Sequence, residues 1–234
     1  LDIGQANLST LNVKIIEKEE AISKKICKEK VNKKMYKVTK RICDIIFSVI
    51  GLIILSPIFL IISIAIKLDS KGTAFFAHKR IGKNGKIINI YKFRTMLPNA
   101  EDMIKNFDEE QMKEFRENYK LKNDPRITRI GKFLRKTSLD ELPQIVNIIK
   151  GELSIIGPRP IIEVELQKYG NKKDKLLSVT PGLTGYWQAN GRSCTTYNER
   201  IKMELYYVDN CSFWLDFKVF FKTIISVFKK DGAI

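Results

Sequence analysis

The sequence predicts an α+β chain, mainly α, built from a re-entrant membrane helix hairpin, short interfacial amphipathic helices and a small β-hairpin. Three observations predict it. A charge-free apolar run covers 45–66 (IIFSVIGLIILSPIFLIISIAI), with Ser56-Pro57 in its middle. Asn84-Gly85 separates two strand-like runs. Short helical periods bounded by glycine and proline fill most of the chain beyond them.

Taken in order, residues 1–37 are a basic leader rich in Lys and Glu, frayed or amphipathic, with no evident chemistry. Residues 38–70 hold the apolar run. As a straight helix its 22 residues would reach roughly 33 Å, enough to cross a hydrocarbon core of about 30 Å. Both flanks are strongly basic, from Lys24 to Arg41 upstream and from Lys67 to Lys86 downstream. The positive-inside rule places both flanks on one side, which a single crossing cannot satisfy and a hairpin can. Pro57 supplies the break, and the Ser56 hydroxyl can return a bond to a freed carbonyl. Asp44 follows Lys40 and Arg41 on one helical face. That spacing suits a surface ion pair or, more sharply, a cationic site for a lipid phosphate oriented by Asp44.

Residues 71–234 form the remaining domain. Runs 74–81 and 86–94 flank the Asn-Gly turn and predict the hairpin. Residues 99–121 are acidic and helical in period, and 131–136, 142–150 and 161–169 read as short helices. Residues 180–191, with a proline, glycines and Trp187, read as a constrained loop. Trp214, Phe217, Phe221, Ile224, Ile225 and Phe228 follow helical spacing among lysines, which suits a helix lying in a headgroup layer or an ordinary core-facing helix.

Charge and composition bound the function. The chain has 234 residues and 42 Lys+Arg against 26 Asp+Glu, a formal charge of +16. This balance implies an anionic partner: nucleic acid, an acidic membrane face or a phosphorylated substrate. The 44% hydrophobic content excludes wholesale disorder. One histidine, His78, and four cysteines without metal or redox spacing exclude a His-based triad and a structural zinc site. Chemistry must then come from carboxylates, Lys/Arg, hydroxyls or a weakly held metal.

The chemistry-bearing stretch runs from Asp124-Pro125-Arg126 and Arg129 through Arg135 and Ser138-Leu139-Asp140-Glu141 to Gly157-Pro158-Arg159-Pro160. Ser138-x-x-Glu141 fits a capping box, and taken alone that reading is favoured over catalysis. The functional alternative uses the same geometry. A carboxylate at a helix start stays ionised and can attack phosphorus. Arginines neutralise the phosphates, and Mg2+ can bridge carboxylate and substrate oxygens. Arg159, held between two prolines, suits an anion clamp.

Ordered along the chain, Lys40-Arg41-x-x-Asp44, Ser56-Pro57, Tyr91-Lys92-Phe93-Arg94-Thr95-Met96, 124–129, 137–144, 157–160 and 181–192 (PGLTGYWQANGR) resemble the catalytic core of bacterial sugar transferases, the monotopic phosphoglycosyl transferases. The resemblance implies a two-step reaction by a catalytic domain on the cytoplasmic face of the bacterial inner membrane. Asp140 would attack the β-phosphate of a UDP-sugar, expel UMP and carry a phosphosugar until undecaprenyl phosphate takes it. Glu141 would position Mg2+ or activate the lipid phosphate, with Asp140 and Glu141 as the metal-facing acids. Arg135 and Arg159 match phosphate-binding positions. Arg126, Arg129, Lys92, Arg94, Gln188 and Arg192 lie in the matching motifs as further substrate-binding candidates. Lys40, Arg41, Asp44, Ser56 and Pro57 match the membrane and lipid-phosphate segment. The implied donor is UDP-galactose, UDP-glucose or a UDP-N-acetylhexosamine, for capsule or exopolysaccharide. Longer relatives with four extra spanning helices find no counterpart, since no second apolar run is long enough.

Two positions depart from the family pattern: His78 where glutamine is usual, and Glu204 where aspartate is usual. The competing readings are a non-catalytic peripheral protein that binds anionic lipid, and a nucleic-acid binder. The second lacks any recognition signature and leaves the apolar run unexplained, so no nucleic-acid partner is expected. Oligomeric state stays open, a homodimer included.

Overall fold

The computed structural model describes the backbone of residues 3–118, 121, 123–191 and 195–228, with side chains over 33–115, 121, 123–191 and 195–226. The side chains of residues 1–32 and of Phe228 lie outside these residues. The chain divides into two units, Leu1–Cys43 and Asp44–Ile234. Helix α1 runs Ile3–Asp69, so the leader is helical throughout its described backbone. Within the first unit the Lys40 ammonium lies 5.9 Å from the centre of the Tyr36 ring.

In the second unit the apolar part of α1 is amphipathic in an inverted sense. Asp44, Ser48, Gly51, Leu55, Phe59, Ile62 and Ile66 recur every three or four residues and are buried or half-buried. They form one stripe facing the domain. Ile46, Phe47, Ile53, Ile54, Leu60, Ile61 and Ile64 are exposed on the other sides. Only 11% of the most apolar stretch is buried, unlike the core helix of a water-soluble domain. The helix is long and apolar enough to cross a membrane. It continues through Pro57. Pro57 has no N–H for the Ile53 carbonyl four residues back, and Ser56 Oγ donates to that same carbonyl at 2.8 Å. The expected hydroxyl repair is therefore in place.

The end of α1 is closed by residues distant in sequence. The buried Arg94 guanidinium donates to the carbonyls of Lys71 at 2.9 Å and Ser70 at 2.8 Å, and to Ser70 Oγ at 3.0 Å. It thereby satisfies carbonyls that a helix terminus leaves bare. Asp69 Oδ2 accepts from the Ile130 N–H at 3.0 Å. Ile62, Ile66, Ala74, Phe93 and Leu134 make the core beneath.

Strands β1 (Phe75–Ile81) and β2 (Ile87–Phe93) pair antiparallel, with His78 opposite Ile90 and Phe76 opposite Lys92. Asn84 and Gly85 both take positive φ, 57° and 76°, the left-handed pair that an Asn-Gly hairpin turn requires. The acidic segment forms α2 (Ala100–Met103) and α3 (Glu109–Asn118). Helix α4 (Arg129–Thr137) starts at Thr128, whose Oγ1 accepts from the Gly131 N–H at 3.0 Å. Helix α5 (Gln144–Lys150) ends at Gly151, φ 83°. Next come β3 (Ser154–Ile156), α6 (Glu163–Gln167) and α7 (Lys173–Leu177).

The loop expected over 180–191 is instead β4 (Gly182–Thr184), parallel to β3, followed by α8 (Tyr186–Asn190). A side chain at Gly182 would meet the backbone of Gly157. Glycine here lets two backbones touch, so residues that read as loop punctuation make a strand pair. Helices α9 (Tyr197–Asn210) and α10 (Phe213–Phe228) close the chain. In α10, Leu215 and Val219 face the core with Ile156 and Tyr207. Trp214, Phe217, Phe221 and Ile225 are exposed, so the aromatic stripe does not face the core.

Candidate active site

The site is built around a reversal between α4 and α5. Ser138 ends α4 in the left-handed region, φ 57° and ψ 16°, and makes no side-chain cap. The capping-box reading therefore fails. A residue folded back at positive φ terminates one helix rather than starting the next. The reversal passes into a short 3-10 turn, Leu139–Glu141, which carries Asp140 inward to 9% exposure.

Lys92, on β2, bridges the two acids. Its Nζ donates to Glu141 Oε1 at 2.6 Å and lies 3.6 Å from Asp140 Oδ2. Arg135 on α4 donates from Nε to Thr95 Oγ1 at 3.0 Å and is electrostatically coupled to Asp140. Burial pushes the Asp140 carboxyl above its ordinary range. Lys92 opposes that rise, Glu141 adds to it, and Arg135 opposes it more weakly. Desolvation outweighs the cationic neighbours.

Further cations border the turn. Arg80 on β1 is coupled to Arg159 and Glu141 and lies 3.9 Å from Glu165 on α6. Arg159 is exposed, and its guanidinium carbon lies 6.0 Å from the centre of the Trp187 ring. Its backbone N–H donates to Glu204 Oε1 at 3.2 Å. Arg200, on α9, lies 4.5 Å from the same Trp187 ring and donates to Glu165 at 2.9 Å. Glu204 is 1% exposed, and its second oxygen has no hydrogen-bond partner among the described residues. Burial pushes its carboxyl up to about 7. An unpartnered oxygen in such a place suits the protonated acid.

Among the described residues no three His, Cys, Asp or Glu side chains converge on one point. Asp140 and Glu141 stand adjacent with Lys92 between them. Two carboxylates that rely on substrate oxygens for the remaining positions fit Mg2+, which keeps few protein ligands at phosphate sites.

The chain matches the bacterial sugar transferase family over residues 35–230. The chain belongs to that family. It is 46% identical over 200 residues to an uncharacterised sugar transferase of Haemophilus influenzae, covering 84% of this chain and 42% of the relative. It is 43% identical over 197 residues to the undecaprenyl-phosphate galactose phosphotransferase of Salmonella typhimurium, covering 83% and 41%. It is 42% identical over 199 residues to the exopolysaccharide production protein ExoY of Sinorhizobium fredii, covering 84% and 88%. The chain thus spans about two-fifths of the first two relatives and most of the third.

Within this family member, the residues singled out from sequence separate into groups. Asp140, Glu141, Lys92 and Arg135 come together at the turn, and Arg159 borders it. Gln188 is half-buried on α8 beside Trp187, and Arg129 is exposed at the start of α4. Arg94 is spent on the end of α1. Arg126 is buried and paired with Asp124, Nε to Oδ1 at 2.8 Å and Nη2 to Oδ2 at 2.6 Å. Asp44 is buried and accepts from the Ile155 N–H at 3.0 Å, which ties α1 to β3. Arg192 lies outside the described residues. Sequence reasoning missed Arg80 and Arg200. The observed register, with Phe76 opposite Lys92 and Arg80 opposite Ile88, puts Arg80 on the face of Lys92; no local signal marks Arg80 or Arg200.

Proposed function

We propose that the protein transfers a phosphosugar from a UDP-sugar to undecaprenyl phosphate, releasing UMP, through an ester on Asp140. The observation that carries this reading is the placement of Asp140: a buried, basic carboxylate loosely paired to Lys92 and bordered by Arg135, with Arg80 acting on the adjacent Glu141. An Asp140 oxygen attacks the β-phosphorus, and the bond from that phosphorus to the bridging oxygen breaks. UMP leaves with the bonding electrons, and the arginines and Lys92 offset the charge on the phosphate oxygens. A phosphate oxygen of the lipid then attacks the ester, releasing Asp140 as carboxylate and forming the polyprenyl-diphosphate sugar. Mg2+ held by Asp140 and Glu141 with substrate oxygens would add further charge neutralisation.

The inverted amphipathy of α1 and the outward aromatic face of α10 support placement at a membrane, and the basic flanks on both sides of the apolar run favour the cytoplasmic face of the inner membrane. There we infer that the segment around Pro57, helical throughout in the structure, bends to dip in and return. Cysteine labelling of both flanks in intact cells tests this. Both flanks should be shielded from outside, and Pro57→Ala, which restores a backbone donor to the Ile53 carbonyl, should straighten the helix and change the labelling. Shielding of only one flank in the wild type defeats the hairpin.

The decisive experiment measures UMP release from UDP-galactose, UDP-glucose and UDP-N-acetylhexosamines with Mg2+ and undecaprenyl phosphate. Release with one donor is expected, falling by about 10³-fold or more in Asp140→Asn. No release, together with no phosphosugar on Asp140 by mass spectrometry, leaves a lipid-binding protein without this activity.

A further inference from the structure

His78 is the chain's single histidine, and the reaction above gives it no task. The register of the hairpin sets Phe76, His78 and Arg80 opposite Lys92, Ile90 and Ile88 in turn. Directly opposed residues share a face of the sheet, so His78 lies on the face that carries Arg80 and Lys92. The Ile81 N–H donates to the Ile161 carbonyl at 2.8 Å. That bond draws the chain just after Arg159 against the end of β1. Three cations from three segments therefore act on one imidazole: Arg80 from β1, Lys92 from β2 and Arg159 from the loop after β3. His78 itself is exposed, its ring edge-on to Phe76 with centres 6.1 Å apart.

Partial burial, then Arg80, Lys92 and Arg159 in turn, hold the imidazole below its ordinary 6.5. In the free protein at neutral pH it is therefore uncharged. Four acids sit around those cations: Glu165 by Arg80, Asp140 and Glu141 by Lys92, and Glu204, which accepts the Arg159 N–H. They are present with and without ligand, so they do not change the field at His78. A diphosphate would, because it brings negative charge to the three groups that keep the ring neutral.

We propose that His78 is a proton-linked binding residue for the diphosphate, taking up a proton from solvent as the nucleotide sugar docks and, as imidazolium, hydrogen-bonding to a phosphate oxygen. This rests on the UDP-sugar reading of the site. The imidazolium then adds a fourth positive charge to the pocket, and binding tightens as pH falls. A UDP-sugar itself carries no group that titrates near neutrality, so any such dependence belongs to the protein.

The test uses the full chain with Asp140→Asn, so that donor is bound and not consumed, and with a purification tag free of histidine. The carbon-bound ring proton of the single histidine is followed by NMR across about pH 5 to 8, with and without the UDP-sugar that supports UMP release. Calorimetry measures that sugar's affinity in parallel. The donor should raise the histidine midpoint by about one unit, with affinity strengthening about tenfold from high to low pH. Adding His78→Gln should leave affinity near the high-pH value and flat with pH. Binding with an unmoved histidine midpoint, or an unchanged pH dependence in His78→Gln, overturns the proposal alone. Absence of binding by every UDP-sugar overturns it together with the reading beneath it.

Discussion

Asp124 and Asp140 are both buried and both have a cationic partner, yet the two pairs are built in opposite ways. Both oxygens of Asp124 are engaged by the Arg126 fork, and Oδ1 also accepts the Arg126 backbone N–H at 3.0 Å. The rings of Phe107 and Phe115 close over that guanidinium at 5.2 and 5.1 Å. Burial raises the Asp124 carboxyl, but the bonds and charge of Arg126 bring it below its ordinary range. Asp140 has a cation at 3.6 Å that sits closer to Glu141, and its carboxyl is raised. A fully satisfied carboxylate is stable and unreactive. A half-satisfied one in a dry place keeps its basicity for an incoming electrophile.

The largest contrast is expected between Asp140→Asn and Asp124→Asn. The first should remove turnover with little loss of stability, since it deletes a desolvated charge. The second leaves Arg126 buried without a counter-charge and should cost about 3–5 kcal/mol, seen as a lowered melting temperature, while the folded fraction keeps its turnover. If Asp124→Asn melts like wild type but is inactive, the pair belongs to the reaction and the contrast collapses.

The pH dependence sharpens the same comparison. The nucleophile is the ionised acid, so kcat/KM should fall as pH drops through the raised Asp140 value, at a pH above the ordinary 3.8. Lys92 holds that value down, so Lys92→Met should move the acid limb to higher pH in whatever activity remains. A limb that stays put would detach Lys92 from Asp140.

A smaller effect is expected at Glu204, the third buried acid. Its folded value of about 7 exceeds its ordinary 4.5. Its stabilising contribution is therefore complete below about 4.5 and lost as pH rises through about 7. Wild type should lose up to about 2–3 kcal/mol across that window, and Glu204→Gln should lose less. Parallel melting profiles for the two proteins would mean that Glu204 is already ionised in the fold.

The hairpin was legible because Asn84-Gly85 demands positive φ at two successive residues, a local requirement. Ser56 beside Pro57 was legible for the same reason, since the donor, the gap and the carbonyl lie within four residues. The arginines were not separable in sequence. A guanidinium fork suits helix-end carbonyls and carboxylates as well as phosphates, so Arg94 and Arg126 looked like Arg135 and Arg159 until their partners were known. The strand at 182–184 was hidden because its glycines serve a backbone contact with Gly157, a residue 25 positions away from Gly182.

By itself the sequence determined the apolar segment with its repaired proline, the hairpin, and the adjacency of Asp140 to Glu141. These depend on backbone rules that act over a few residues. Only the tertiary structure decided which cations remain beside the acids, that Asp140 is buried enough to be basic, and that His78 shares a face with Arg80 and Lys92 near Arg159. Desolvation and charge are sums over every group brought near in space, and those groups come from β1, β2, α4 and the loop after β3.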